Sequence, residues 1–210
     1  MTVQRNPETG RRAYRMKARL EAIEETRARI AEAAYELHAT VGPARTTISA
    51  IADRAGVQRH TVYHHFPDLL TLFQACTAHG VKVMGPPDAD AWRRIADPGA
   101  RVHEALGEMY DYFRRNARLL GNVARDLPGM PDEAYAGTQV FVDLREGWFR
   151  ALADAFEVDD APHPALDAAI RHALDFQTWH SLTSRGLSDA EARDAMTSFV
   201  TLMAGRPTAL

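Results

Sequence analysis

The stretch from Thr46 to Phe66, TTISAIADRAGVQRHTVYHHF, constrains the fold more than any other part of this chain. Ile48, Ile51 and Ala52 follow the i, i+3, i+4 spacing of an amphipathic helix. Gly56 then stands where a chain leaving a helix often needs a positive φ. Two short helices joined by a glycine-containing turn predict a helix-turn-helix, whose second helix enters the major groove of DNA.

The two ends of this motif have different chemistry. Thr46 or Thr47 can cap the first helix, because a hydroxyl there accepts a bond from an unpaired backbone N–H. Val57 and Val62 turn inward on the second helix. The side chains left to project are polar and of types that contact bases or phosphates, namely Gln58, Arg59, His60, Thr61, Tyr63 and His64.

A longer segment carries a more specific signal. The string ARIAEAAYELHATVGPARTTISAIADRAGVQRHTVYHHFPDLLTLF, from Ala28 to Phe73, resembles the DNA-binding domain of TetR-like transcriptional regulators. The matching features are the AA..L....G approach, the TT.S.IA.RAGV turn and the TVYHHFPD run into the next helix. The resemblance covers roughly the first 40% of the chain. It implies an all-α fold, with a three-helix DNA-binding domain followed by a helical domain for ligand binding and dimerisation.

Three positions depart from the family pattern. His38 stands where the family usually has a large aromatic residue, which predicts different packing in that corner of the core. Leu69 replaces a basic residue that often bonds a phosphate, so Arg45 or the N-terminal arm is expected to substitute. His60 replaces a small residue, which favours contact with the groove floor through side chains.

Composition sets the remaining bounds. The net charge of −3 is unevenly divided, since residues 1–84 carry +4 and residues 85–210 carry −7. A basic first part on an acidic body is expected when only one domain faces phosphate, although chance clustering gives the same asymmetry.

The chain has no secretory pattern and no apolar run of about 18 residues, so we expect a cytoplasmic protein that does not span a membrane. The single Cys76 rules out an internal disulfide and is expected to be buried.

The chain divides into three segments. Residues 1–24 are predicted to be a flexible basic arm, disordered through residue 13, plus the start of the first helix. Arg15, Lys17 and Arg19, with Arg11 and Arg12 before them, either reach a flanking minor groove or form a solvated helix face. The DNA-binding domain with its connecting helix is placed at 25–84, and the ligand-binding and dimerisation domain at 85–210.

The positions of proline, glycine and capping residues predict helices along the whole chain and no β-sheet. The first helix ends near Thr40 and buries Ile23, Ile30, Ala33, Ala34 and Leu37. Later helices are predicted at 68–84, 97–115, 119–126, 132–156, 164–185 and 188–204. Asp159 and Asp160 fall in a proline-flanked loop and are expected to be solvated.

The last two predicted helices carry apolar stripes broader than one neighbour would cover. The stripes consist of Leu166, Ala169, Ile170, Ala173 and Leu174, then Ala195, Met196, Phe199, Val200 and Met203. Ala165, Ala169 and Ala173 recur at every fourth residue and permit close helix approach. One interpretation is a homodimer built as a four-helix bundle, and the other is a filled monomer core. The resemblance favours the dimer.

The central helices of the body carry a set of aromatic residues with a few polar ones among them. These residues are typical of a helical core, and the resemblance implies that some of them line a pocket for a small, largely apolar or aromatic effector. The candidate ligand-binding residues are His103, Met109, Tyr110, Phe113, Phe141, Trp148, Phe176, Gln177, Trp179 and His180, with Phe149 beside them.

The sequence thus predicts a ligand-responsive regulator that binds a near-palindromic double-stranded operator as a dimer and needs no cofactor. The predicted DNA-binding residues are Arg45, Thr46, Thr47, Gln58, Arg59, His60, Thr61, Tyr63 and His64. The alternative is a small-molecule carrier or enzyme with a helical body. It lacks sequence support, because the chain has no glycine-rich phosphate cradle, no HExxH and no nucleophile triad in a known order.

Overall fold

A computed structural model describes residues 7–156 and 163–205, with side chains from residue 14 onward. Within these segments the secondary structure is helical, with no strand. The α-helices are α1 (Pro7–Thr40), α2 (Ile48–Ala55), α3 (Arg59–His65), α4 (Leu69–Met84), α5 (Ala89–Arg93), α6 (Pro98–Arg115), α7 (Ala117–Asp126), α8 (Asp132–Ala136), α9 (Gln139–Ala153), α10 (Pro164–Ala173), α11 (Phe176–Thr183) and α12 (Asp189–Ala204). Two single-turn 3₁₀ helices, Pro43–Arg45 and Leu127–Gly129, complete the order.

The helix-turn-helix forms where the sequence predicts it. Helix α2 ends at Gly56, which adopts the left-handed conformation with φ 65° and ψ 37°. A residue with a Cβ would be strained at this φ, which is why glycine ends the helix here. Ile51 and Val62 face inward, with Ile51 3% exposed and Val62 fully buried. The angle between α2 and α3 is therefore fixed by buried side chains rather than by the turn alone.

Helix α1 is longer at its N-terminus than predicted. It begins at Pro7, so residues 7–13 are helical rather than disordered; residues 1–6 lie outside the described part of the chain. Ile30, Ala33 and Ala34 are buried and Leu37 is half-buried, as the apolar stripe predicts. Ile23 was wrongly placed in this stripe, because it lies on the part of α1 that extends past the other helices of the domain and is exposed.

Helix α4 joins the two halves of the molecule. Asp68 caps its N-terminus by accepting a bond from the Thr71 N–H at 2.8 Å, as predicted. At the other end Gly85 takes a left-handed conformation and stops the helix. Met84, the last helical residue, is buried in the core of the second domain.

Two helices that the sequence predicts as continuous are each divided in the structure. The predicted helix 132–156 breaks at Gly137 and Thr138, between α8 and α9. A Cβ built on Gly137 would lie 2.4 Å from the Phe73 Cβ, so glycine permits the close approach of α8 to α4. The predicted helix 164–185 breaks at Leu174, and Asp175 then caps α11 through the Gln177 N–H at 2.7 Å.

Other helix starts follow their sequence signals. Asp97 accepts a bond from the Ala100 N–H at 2.7 Å before the first-turn proline of α6. Ser188 and Glu191 form the reciprocal capping box of α12. Helix α5 was not predicted. It is held by Trp92, which is 1% exposed and whose indole N–H donates to Glu108 at 2.9 Å.

The buried residues form two separate clusters, which define an all-α two-domain layout. The smaller cluster lies between α1, α2, α3 and α4, and we call this region the head. The larger cluster lies among α6, α9, α10, α11 and α12, with Met84 and Trp92 added, and we call this region the body. Because the end of α4 contributes to the body core, the two cores are mechanically linked through that helix.

Much of the apolar stripe on the last helices is used inside one chain. Leu166, Ala169, Ile170, Ala173 and Leu174 of the α10 stripe are all buried against the body. On α12, Val200 is buried and Met196, Phe199 and Met203 are half-buried, whereas Ala195 is exposed. The monomer core thus accounts for more of these stripes than the dimer interpretation assumes. Leu202, 62% exposed, remains outside it.

The helices of residues 7–156 and 163–205 lack the combination of length and apolar character needed to cross a bilayer. Asp159, Asp160 and Pro162, which the sequence places in a loop and at a helix start, lie outside the described residues.

Candidate functional site

The predicted reading residues lie together on the outer face of the head. Gln58, Arg59, His60, Tyr63 and His64 are exposed on α3 or at its N-cap. Thr61 is half-buried beside them. The helix therefore presents a polar surface while Val62, on its opposite side, is fully buried. This is the arrangement in which side chains can contact the edges of bases.

Of the two candidate caps for α2, the structure selects Thr47. Its Oγ1 accepts a bond from the Ala50 N–H at 3.1 Å. The Thr46 hydroxyl donates instead to the Gly42 carbonyl at 2.9 Å. Arg45, the predicted substitute phosphate anchor, is exposed beside them, and its Nε donates to the Val41 carbonyl at 2.9 Å. The loop before α2 thus brings Arg45, Thr46 and Thr47 together on one side of the head.

Arg59 and Tyr63 form a pair on the exposed face of α3. The Arg59 Nη2 donates to the Tyr63 hydroxyl at 3.1 Å, and the guanidinium lies 5.6 Å from the ring centroid. The two residues are four apart, so they are neighbours on the helix surface. The contact restricts the Arg59 side chain before any partner binds.

A residue that the sequence analysis did not select holds the C-terminal end of α3. Arg27 on α1 donates from Nη1 to the His65 carbonyl at 2.6 Å, and its guanidinium lies 4.2 Å above the Phe66 ring. Carbonyls at a helix C-terminus lack intrahelical partners, and a cation there also interacts favourably with the helix dipole. Partial burial, together with His64 and Arg27 nearby, lowers the pKa of His65. The signal available in the sequence was an arginine on the head-facing stripe of α1.

His38 and Cys76 meet in the buried corner where the family pattern is broken. The His38 ring stacks on Phe73 with centroids 5.3 Å apart, and Cys76 Sγ lies 3.4 Å from Nδ1. Burial lowers the pKa of His38 to about 4, only partly offset by Asp126, and raises the pKa of the Cys76 thiol to about 12. Both groups are therefore neutral near pH 7. The prediction that Cys76 is buried is confirmed.

Helix α7, whose Ala117, Leu119 and Leu120 pack against the core of the body, also binds the C-terminal end of α1. Asn122 donates from its amide to the carbonyls of His38 and Ala39 at 3.1 and 3.0 Å. Arg118 donates to the Thr40 carbonyl at 3.1 Å. Asp126 accepts from the Ala44 N–H at 3.2 Å. These polar bonds supplement the apolar joint at α4, and sequence reasoning missed the connection because nothing marks Asn122 locally.

Most of the predicted effector-binding residues form one aromatic cluster in the body. Phe113 is its centre, with ring centroids 6.1 Å from Tyr110, 5.7 Å from Phe176 and 6.0 Å from Trp179. His180 stacks on Phe176 at 5.7 Å. The other members that pack with the core are Met109, Trp148, Phe149 and, partly exposed, Phe141.

Three polar atoms of buried residues in this cluster already have partners. The Tyr110 hydroxyl donates to the Ala173 carbonyl at 3.1 Å. The Trp148 indole N–H donates to the Pro87 carbonyl at 3.0 Å, and the Trp179 N–H to Asp189 Oδ1 at 2.9 Å. Burial raises the pKa of Tyr110. In this conformation the cluster is a packed core in which the polar groups of Tyr110, Trp148 and Trp179 are bonded within the chain.

Two predicted ligand-binding residues lie away from the cluster. Gln177 is exposed and lines an open groove of about 320 Å³ among α10, α11 and α12. The other residues of this groove are His172, Asp175, Thr178, Ser181, Leu182 and Met196. His103 lies on α6 with its Nε2 3.2 Å from Asp194 Oδ1. The structure therefore brings most of the predicted residues to one region, with Gln177 at its rim and His103 apart. None of these roles in binding is tested by the geometry, and they stay predictions.

The arrangement defines a class of protein. A head with an exposed polar helix, fixed by a capped partner helix, is joined to a separate helical body, which is the construction of a helix-turn-helix DNA-binding protein with a second domain. Residues 30–76 match the family model described as "Bacterial regulatory proteins, tetR family". This part of the chain is therefore similar to the DNA-binding part of tetR-family regulators.

Individual relatives agree with this assignment. The HTH-type transcriptional regulator TtgR of Pseudomonas putida is 47% identical over 55 residues, which is 26% of this chain and 26% of that protein, so the match spans about a quarter of either length. The crystal structure of a tetR-family transcriptional regulator from Streptomyces coelicolor matches with a TM-score of 0.60 and 26% identity, over 86% of this chain and 81% of that one. PfmR, a TetR family transcriptional regulator from Thermus thermophilus, has a TM-score of 0.54 at 16% identity, over 87% and 97% of the two chains. The last likeness concerns the fold alone.

Proposed function

We propose that this chain is a dimeric, effector-responsive transcriptional regulator that binds operator DNA through α3 and releases it when a small molecule binds the body. The observation that carries the proposal is the exposed polar face of α3, held at a fixed angle by the buried Val62 and Ile51. The matches to TetR-family regulators support it. We further propose that it acts in the cytoplasm, as a repressor and not as an enzyme.

Each head has two kinds of contact in this proposal. Arg45, Thr47 and Tyr63 bind phosphate oxygens and set the register of the head on the duplex. Gln58, Arg59, His60, Thr61 and His64 face the bases. Of these residues, Arg59 is expected to be the most specific for one base, because a guanidinium can donate two hydrogen bonds to guanine. Its bond to Tyr63 links the base-facing and phosphate-facing groups.

The body supplies the second copy and the effector site. The outward residues of α10 to α12 that the monomer core leaves uncovered, among them Ala165, Ala195 and Leu202, support a two-fold contact between copies. A dimer would place two α3 helices about 34–36 Å apart or a multiple of it, on a near-palindromic site. A largely apolar or aromatic effector would enter the cluster around Phe113 by displacing packed rings.

Coupling in this proposal runs through the two joints between head and body. Met84 at the end of α4 lies in the body core, and its carbonyl lies 3.4 Å from the Asn116 amide. Asn122 on α7 binds the end of α1. An effector that rearranges the body would shift both joints and change the spacing of the heads. A coupling of about 1–3 kcal/mol would loosen operator binding about 5- to 150-fold.

Selection of bound duplexes from a random pool tests the proposal, using the full-length protein. The expected result is one enriched, near-palindromic sequence whose binding weakens steeply as salt rises, because neutralised phosphates release counterions. Arg59→Ala should lose preference at one position of that sequence, whereas Arg185→Ala, on the body, should not. The proposal is wrong if no sequence is enriched and the protein binds no duplex in dilute buffer.

A further inference from the structure

The N-terminal part of α1 is longer than the head requires. The helix has 34 residues, which corresponds to about 50 Å. Its buried positions begin at Ile30, and residues 14–25 are exposed throughout. We call residues 7–26 the α1 extension. At 1.5 Å per residue it is about 30 Å long, comparable to the diameter of a small domain.

The contacts of α1 show where this extension points. Its C-terminal end is bound by the body, through Asn122 to the carbonyls of His38 and Ala39. Earlier in the helix, Arg27 is bonded to the end of the recognition helix at His65. Going from body to head, the helix therefore passes the end of α3 and then continues. The extension therefore projects beyond the C-terminal end of α3.

The described charges of the extension are divided between its faces. Arg15 and Arg19 are four residues apart, so they lie one above the other on one face. Glu21 and Glu25 form a second pair, centred about 120° around the helix axis, and Lys17 lies 3.8 Å from Glu21 on that side. Neither Arg15 nor Arg19 has an ion-pair partner among the described side chains, which start at residue 14. One face of this stretch is thus cationic and the other largely acidic.

We propose that the α1 extension is a second DNA-binding element, which lays Arg15 and Arg19 along phosphates flanking the half-site read by α3. The inference rests on the proposed function. A helix with side chains is about 10–12 Å across and does not fit a minor groove about 6 Å wide, so the contact is to the backbone rather than to minor-groove bases. Each head then covers more duplex than its helix-turn-helix alone.

A second copy of the chain is the other occupant that this surface could take. Met16, Leu20 and Ile23 are exposed at spacings of four and three, which resembles a coiled-coil seam. The seam spans barely one heptad, and isolated helical segments shorter than about 12–15 residues are marginal in water. The cationic face of Arg15 and Arg19 is therefore the stronger feature, and phosphate is the partner that complements it.

Salt titration of operator binding tests the extension. Arg15→Gln/Arg19→Gln should reduce the slope of log affinity against log salt by about 1.8 for each bound head, because each phosphate contact contributes about 0.9. Between about 50 and 200 mM salt, wild-type affinity should therefore fall about tenfold more per head than that of the variant. Trimming the DNA that flanks the operator should remove the same difference. Arg94→Gln/Arg185→Gln, which makes an equal change in net charge on the body, should leave the slope unchanged.

The outcomes separate the extension from the function on which it depends. A wild-type protein that binds no duplex overturns the proposed function. A wild-type protein that binds, with an unchanged slope in Arg15→Gln/Arg19→Gln, overturns only the role of the extension. That role is also overturned if Leu20→Ser lowers the mass in sedimentation while the arginine variant retains the wild-type slope, since the surface would then be a contact between copies.

Discussion

The head and the body differ in what their distinctive side chains contact. In the head, the distinctive residues of α3 are polar and exposed, and Arg59 and Tyr63 bond to each other. In the body, the distinctive residues are aromatic and buried, and the polar atoms of Tyr110, Trp148 and Trp179 are already bonded. Under the proposed function, the head is preorganised for DNA, whereas the body would have to rearrange to admit an effector.

The largest expected effect is on the stability of the body. Trp179→Ala should lower the free energy of unfolding by about 3–5 kcal/mol, because it removes a buried indole and leaves a cavity. Urea unfolding measures this loss, with Val142→Ala on an exposed position of α9 as the control, expected near zero. At temperatures where the variant is folded, operator affinity should stay close to wild type. Equal costs for the two substitutions would show that the cluster is already open.

Acidification should lower the free energy of unfolding through the buried His38. The pKa of His38 is lowered to about 4 in the folded protein. Between a pH of about 6.5 and about 4, His38 is therefore protonated in the unfolded chain and neutral in the folded chain. This contribution to stability is complete above a pH of about 6.5 and is lost as the pH falls towards about 4. The loss amounts to about 3 kcal/mol. Unfolding measured across this range for wild type and His38→Phe should diverge by that amount, and parallel curves would contradict the assignment.

Arg59→Ala should weaken operator binding by about 1–3 kcal/mol and relax preference at one base position. It should not change the stability of the body. Binding to a set of operators with single substitutions is the measurement. An equal loss on every sequence would show that Arg59 contacts a phosphate rather than a base, and the surface of α3 would then be less specific than proposed.

The smallest effect expected is that of a helix cap, and it distinguishes the regions most cleanly. Thr47→Ala removes the bond to the Ala50 N–H and should cost about 1 kcal/mol of stability while also weakening DNA binding. Ser188→Ala removes the corresponding cap of α12 and should cost a similar stability with operator affinity intact. Both thermal unfolding and DNA affinity are needed, and a loss of affinity in Ser188→Ala would tie α12 to the head.

Local signals predicted much of the fold. Thr47, Gly56, Asp68, Asp97 and Ser188 each act where the sequence places them, because caps and left-handed turns depend on the residue and its immediate neighbours. The close approach at one missed break is tertiary. Gly137 permits α8 to lie against Phe73 of α4, and nothing in the residues around Gly137 predicts so distant a neighbour in the chain.

The residues of the candidate site also differ in how far the sequence could predict them. The projecting residues of α3 could be predicted, since their exposure follows from the helical period and the inward valines. The aromatic residues of the body were brought together as expected, but periodicity does not tell a packed core from a pocket lining. His103 was predicted to line the pocket because it is a polar residue among the aromatic ones. In the structure it lies on the side of α6 that faces Asp194.

The sequence by itself determined the helix-turn-helix, the exposed polar face of α3 and the positions of most helix starts, because these depend on contacts within a few residues. Only the tertiary structure decided that Arg27 secures α3, that Asn122 binds the end of α1 and that α1 continues past the head as a helix with a basic face. Those features join residues distant in the chain, and the free energy that fixes them comes from packing and hydrogen bonds that no local pattern encodes.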